Sequence, residues 1–171
     1  MMRQNALFSR LISLWALFGG ALLLLIVLAT AVNAIGFTAN TIARSWGGTV
    51  PGLSGYEDAV TMLVGVAALA MFPYCQLHGG HAAVDVFMQK APKFANRMVC
   101  VISGLLVIAV SMTMAVMLIY GTIETRADNT ETAVLGWPIW IFMPLAVVSC
   151  VLWALAAFIE TFMSESAYNG A

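Results

Sequence analysis

Four side chains that could bind a metal ion lie close together in the segment FPYCQLHGGHAAVDVF. They are Cys75, His78, His81 and Asp85. Thiolate, imidazole and carboxylate groups are the usual ligands of zinc, and imidazole also binds haem iron. The segment therefore raises two hypotheses: a metal or redox site, or the end of a membrane helix that turns along the lipid surface.

Two adjacent glycines favour the second hypothesis. Gly79 and Gly80 separate the two histidines, and glycine commonly ends a helix because it accepts the left-handed conformation at little cost. His78 and His81 are also too close in the chain to bind one haem from both sides, and no CxxCH motif is present for covalent attachment. We therefore expect no metal ion, haem or other cofactor.

The residues after the glycines predict a short amphipathic helix over about 81–91. Its apolar residues recur with helical spacing, and a proline follows at Pro92. His81 and Asp85 are four residues apart, so they would lie on one face of this helix. The pattern is typical of a helix that lies in the membrane interface.

Composition identifies an integral membrane protein. The chain has 171 residues, of which 62% are hydrophobic and only 9% are charged, and its net charge is −1. A soluble domain carries about 25% charged residues. The charge balance excludes a strongly basic nucleic-acid-binding protein, and the three cysteines form no CxxC pair.

Four apolar runs are long enough to cross a bilayer, which requires about 20 residues. The sequence thus predicts an all-α membrane protein with four transmembrane helices and the interfacial helix between the second and third, in one domain over residues 1–171. The predicted spans are about 15–35, 59–78, 98–123 and 137–159. The first uncharged run, Leu11–Ala43, is longer than a span requires, so we expect it to tilt, bend at Gly19–Gly20 or project from the membrane.

The distribution of lysine and arginine predicts the orientation. Five of these residues flank the amino terminus and the loop between the second and third spans, and two lie on the opposite side. Because short cytoplasmic loops are enriched in Lys and Arg, we expect both termini in the cytoplasm. No ionisable residue lies at the centre of a span. Since such residues usually mark ion or substrate pathways, the chain is poorly equipped to move a polar solute alone.

The segment YEDAVTMLVGVAALAMFPYCQLHGGHAAVDVFMQKAPKFANR resembles the central signature of the DctQ-like family, the small four-span membrane subunit of TRAP (tripartite ATP-independent periplasmic) transporters. The matching residues in this segment are Glu57, His81, Val84, Asp85, Pro92 and Arg97. A later stretch resembles a second family pattern through Thr132, Leu135, Pro138 and Trp140. The sequence departs from many relatives at Leu77–His78, where they place an arginine.

This resemblance implies a function. It implies a non-enzymatic subunit of the bacterial inner membrane that pairs with a large, many-span permease subunit. In such systems a periplasmic substrate-binding protein delivers an organic anion, often a carboxylate, and sodium drives uptake. Two alternatives stay open at this point: a membrane-anchor subunit of a redox complex, with a haem or quinone near His78 and His81, and a small self-standing channel.

Acidic residues mark the loops that the charge distribution places outside the cytoplasm. Asp58, Asp128 and Glu131 are candidates for docking a periplasmic partner, together with the neighbouring Trp46 and Trp137. Tryptophan is also common at membrane interfaces without any partner.

Overall fold

The computed structural model describes residues 2–49, 52, 54–78 and 93–163. These residues form four long α-helices: α1 (Met2–Ser45), α2 (Tyr56–Leu77), α3 (Lys93–Ala127) and α4 (Met143–Met163), with a 3₁₀ helix at Ile139–Ile141 before α4. No strand occurs in the described ranges, and all four α-helices are long and apolar enough to cross a membrane. The predicted all-α fold with four transmembrane helices is confirmed. The predicted interfacial helix at 81–91 lies outside the described residues.

The helices pack in the order α1, α2, α4, α3. The central pair is α2 and α4, with α1 packed on α2 and α3 packed on α4. This arrangement leaves the outward faces of α1 and α3 covered by large exposed apolar side chains. Such faces are expected where a protein meets lipid, because the hydrocarbon core is as apolar as the side chains themselves.

Two glycines allow the helices to approach closely. A Cβ atom at Gly19 of α1 would lie 2.8 Å from Ala70 Cβ and 3.0 Å from the Ala67 carbonyl oxygen of α2. A Cβ atom at Gly104 of α3 would overlap the side chain of Thr161 of α4. Small residues commonly pack membrane helices in this way. The helix α1 continues without interruption through Gly19 and Gly20, where a bend was one of three alternatives.

The last span begins with a 3₁₀ helix. The stretch that is long and apolar enough to cross a membrane covers Ile139–Phe162, and its α-helix starts at Met143. Pro138 has no backbone N–H and an extended backbone (φ −69°, ψ 120°). Trp137, just before it, bonds back to Thr132 through its backbone N–H and carbonyl. These bonds hold the segment in a loop rather than a helix.

Candidate functional site

The start of α2 is tied to the loop between α3 and α4 by one carboxylate. Oδ2 of Asp58 accepts hydrogen bonds from the backbone N–H groups of Val134 (2.8 Å) and Leu135 (3.0 Å). Hydrogen bonds to an ionised acceptor are stronger than those between neutral groups. Asp58 also lies in the first turn of α2, where the helix dipole favours negative charge. We call this contact the Asp58 clamp.

The clamped loop has a tight internal structure. The Thr132 hydroxyl accepts a hydrogen bond from the Trp137 N–H (3.0 Å), and the Thr132 N–H donates to the Trp137 carbonyl (2.9 Å). Gly136 closes the turn with a positive φ of 63°, which glycine adopts without strain. We use the name "clamped loop" for residues Thr130–Trp140.

The beginning of the clamped loop is set by the end of α3. Asn129 has a positive φ of 48°, and the Thr130 N–H donates to the Thr125 carbonyl (3.0 Å). This is the hydrogen-bond pattern of a Schellman end, in which a left-handed residue stops the helix. After this stop, an isolated antiparallel bridge places Glu131 beside Pro138.

Close packing at a glycine also joins the clamped loop to α2. Gly55, immediately before α2, has a φ of 82°, and a Cβ atom there would lie 2.8 Å from Leu135 Cδ2. Only glycine combines this backbone with so close a neighbour. The resulting contact places the loop directly over the amino-terminal end of α2.

The residues of the family-like pattern at Thr132, Leu135, Pro138 and Trp140 all have a place in the clamped loop. Thr132 supplies internal hydrogen bonds, the Leu135 side chain packs against Gly55, and Pro138 precedes the 3₁₀ helix. The ring of Trp140 lies under the Arg126 guanidinium, 5.0 Å from its centroid. A cation over an indole face is attracted by the ring quadrupole.

Two of the three predicted docking acids, Asp128 and Glu131, are exposed to solvent at the end of the bundle that carries the clamped loop. The third, Asp58, is half-buried and is engaged in the clamp. The loop also exposes apolar side chains, with Val134 63% and Trp137 42% accessible. This end of the bundle therefore combines carboxylates with apolar groups on a preorganised backbone.

The opposite end carries a polar cluster that sequence analysis did not find. Gln76 of α2 is buried, and its Nε2 donates to Glu160 Oε2 of α4 (2.6 Å). Its Oε1 accepts a hydrogen bond from Trp153 Nε1 (3.2 Å), while the Trp153 ring contacts Phe72 at 4.9 Å. Polar residues in apolar spans are costly unless they are paired. In the sequence, this cluster is visible only as a glutamine near the end of one span and a glutamate near the end of another.

The remaining family-motif residues are described only in part. Glu57 is exposed in the first turn of α2, and Arg97 is exposed in α3. His81, Val84, Asp85 and Pro92 lie outside the described residues. Of the members of this set that the structure describes, Glu57 and Pro138 lie at the end of the bundle that carries the clamped loop.

Within the described residues, the structure gives little support to the hypothesis of a metal site. The His78 ring stacks on Tyr74 with centroids 4.1 Å apart, and its Nδ1 lies 3.1 Å from the Tyr74 carbonyl oxygen. Among the described residues, no three His, Cys, Asp or Glu side chains are grouped so that they could hold a metal ion. His81 and Asp85 are not among those residues.

The family model described as "Tripartite ATP-independent periplasmic transporters, DctQ component" matches residues 34–164. The chain belongs to the DctQ family. The match includes α2, α3, the clamped loop and α4, and it begins within α1. No curated protein and no solved structure matches the chain.

Membership of the DctQ family confirms the resemblance seen in the sequence and identifies the chain as a transporter component rather than an enzyme. The chain is the small component of a TRAP transporter, and it is not an enzyme. Its four apolar helices agree with a multi-pass protein of the inner membrane. The redox-anchor alternative is not supported by this family.

Proposed function

We propose that this DctQ protein is the scaffold subunit of a sodium-coupled, binding-protein-dependent transporter for organic anions such as carboxylates. It pairs with a large permease subunit, which provides the transport pathway. The family match over residues 34–164 is the observation that carries this proposal. The sequence adds a physical reason, because the centres of the four spans contain no ionisable residue that could bind a coupled ion or a carboxylate.

Reconstitution tests this division of roles. Proteoliposomes that contain only this chain should show no sodium-driven uptake of organic anions. Addition of the large subunit during reconstitution and of the binding protein outside should produce uptake. Robust uptake by the lone chain would refute the scaffold role.

We further propose that the clamped loop and the acidic groups beside it dock the periplasmic binding protein. Asp128 and Glu131 are exposed, and the apolar side chains of Val134 and Trp137 are exposed on the same hydrogen-bonded loop as Glu131. An acidic rim steers a partner with a complementary basic surface, and apolar groups then provide contact area. Asp58 contributes by holding the loop rather than by direct contact.

Charge reversal at the rim is expected to slow uptake. The double variant Asp128→Lys, Glu131→Lys should raise the binding-protein concentration needed for half-maximal uptake several-fold, because long-range attraction becomes repulsion. The neutral pair Asp128→Asn, Glu131→Gln should have a smaller effect. Both effects should shrink as salt screens exposed charges. Identical uptake by all three proteins from low to high salt would remove these residues from the docking surface.

The proposed topology places both termini and the segment before α3 in the cytoplasm. Arg3, Arg10 and three basic residues between the second and third spans support it through the positive-inside rule. A membrane-impermeant maleimide added from the periplasm should label cysteines placed at Ser54 and Asn129, and it should not label one at Lys93. Labelling in the reverse pattern would invert the orientation.

The segment HAAVD, which includes His81 and Asp85, is proposed to hold the subunit in its complex from the cytoplasmic side. The support is the sequence pattern of an amphipathic interfacial helix and its place in the family-like segment. A surface pair of this kind contributes little by itself. An appreciable role therefore requires that the large subunit bury the pair.

A further inference from the structure

The last third of α1, residues 33–45, extends beyond the rest of the bundle, and we call it the α1 arm. Gly19 contacts Ala67 and Ala70 of α2, and α2 begins at Tyr56. At about 1.5 Å per residue, α2 reaches about 19 Å from this contact, whereas α1 reaches about 39 Å. The α1 arm therefore continues about 20 Å past the start of α2.

The α1 arm is helical throughout and ends at a well-defined capping motif. Gly47 has a φ of 77°, its N–H donates to the Arg44 carbonyl (3.2 Å), and the Gly48 N–H donates to the Ala43 carbonyl (2.9 Å). These two bonds form a complete Schellman motif. The hydroxyls of Thr38 and Thr41 donate to carbonyls one turn earlier in α1. Both hydroxyl groups are therefore hydrogen-bonded within the helix, which lowers the free-energy cost of moving them from water into the membrane.

One side of α1 is an uninterrupted apolar stripe. At about 100° per residue, five large residues fall within a narrow strip of the helix surface, and each has more than 60% of its surface accessible. They are Leu17, Leu24, Leu28, Ile35 and Ile42. The stripe is apolar along its whole length, from the middle of the span into the α1 arm. Trp46, which is 88% accessible, follows it.

The opposite side of α1 becomes more polar at the level where α2 begins. Ile12, Gly19 and Ile26 are buried and recur every seven residues on the side that packs on the bundle. The same spacing continues to Asn33 and Asn40. Arg44 follows on that side of the α1 arm and is exposed. This side of the α1 arm therefore carries polar side chains together with the exposed Phe37, while the apolar stripe of the arm is continuous with that of the span.

We propose that α1 is strongly tilted in the bilayer, so that Ile35, Ile42 and Trp46 contact lipid while Arg44 lies in the headgroup region. The uncharged run Leu11–Ala43 is about 50 Å long at 1.5 Å per residue, whereas the hydrocarbon core is about 30 Å thick. If α1 stood upright, its exposed stripe would enter water. Tilting places the stripe in lipid and the polar side in the interface.

Lipid is favoured over a protein partner because the stripe of the arm continues the large aliphatic surface that the span itself presents outward. Arginine and tryptophan at the end of the arm are also typical of membrane interfaces. The inference goes beyond the scaffold role, since it concerns only how this chain sits in the bilayer. It implies that α1 is inclined to the membrane normal.

Spin labels on the α1 arm test the proposal. Cys75, Cys100 and Cys150 are first replaced by serine or alanine, and single cysteines are then introduced as Ile42→Cys or, as the matched control one residue away, Thr41→Cys. The full chain is reconstituted in liposomes, alone and with the large subunit. Collision rates are measured with oxygen, which concentrates in lipid, and with a water-soluble nickel chelate.

The expected result is a several-fold higher oxygen-to-nickel collision ratio at position 42 than at position 41, both alone and in the complex. High nickel access at both positions would show an arm that projects into water, and it would overturn the proposal. Loss of both collision rates at position 42 only in the complex would also overturn it, because a protein surface would then cover the stripe.

Discussion

Asp58→Ala is expected to release the clamped loop and to reduce binding-protein-dependent uptake several-fold while the membrane complex still assembles. The carboxylate accepts two backbone hydrogen bonds, from Val134 and Leu135. Without it, these N–H groups must bond to water, and the loop keeps only its packing contact at Gly55 as an attachment to α2. Hydrogen–deuterium exchange of a peptide covering 132–137 should become faster, and uptake should fall in parallel.

Two controls separate the clamp from a general loss of negative charge. Glu57 is the neighbouring carboxylate and is exposed, so Glu57→Ala should leave exchange of the 132–137 peptide unchanged. Asp58→Asn keeps an acceptor oxygen but lacks the charge, so it should give an intermediate effect. Unchanged exchange in Asp58→Ala would show that the loop holds its shape without the clamp. Unchanged uptake despite faster exchange would remove the loop from docking.

Gly104→Ala is expected to destabilise the packing of α3 on α4. The new Cβ atom would overlap the Thr161 hydroxyl and lie 2.9 Å from Thr161 Cγ2. Thr161 is buried, and a β-branched side chain has few alternative rotamers in a helix. The helices must therefore move apart. Overpacking of this kind costs about 1–3 kcal/mol, which should appear as a lower unfolding temperature in detergent.

The packing explanation can be tested by compensation. Thr161→Ala removes both the hydroxyl and the methyl group, so the double variant should recover part of the stability lost in Gly104→Ala. Gly65 of α2 is a matched control, because a Cβ atom there has no neighbour within 4 Å. Gly65→Ala should be neutral or slightly stabilising, since alanine favours helix more than glycine does. Equal losses at Gly104 and Gly65 would contradict a contact-specific effect.

The candidate site was only partly predictable. The exposed acids Asp128 and Glu131 could be recognised because charged residues at the end of an apolar run must face water. Asp58 was grouped with them on the same reasoning. In the structure, however, its carboxylate accepts a hydrogen bond from the backbone N–H of Val134, 76 residues later in the chain. Gln76 was overlooked for the same reason, because its partner Glu160 is 84 residues away.

The sequence by itself determined the membrane class, the number of long helices and the family pattern, because transfer into lipid depends on the local sum of side-chain hydrophobicity over about 20 residues. Local signals such as Gly47 and Asn129 also specify helix ends. Only the tertiary structure decided which helices are neighbours, that Gly104 meets Thr161 and that Asp58 holds the clamped loop. The physical reason is that these contacts depend on the register and rotation of helices far apart in the chain, and hydrophobicity is nearly the same on every side of such helices.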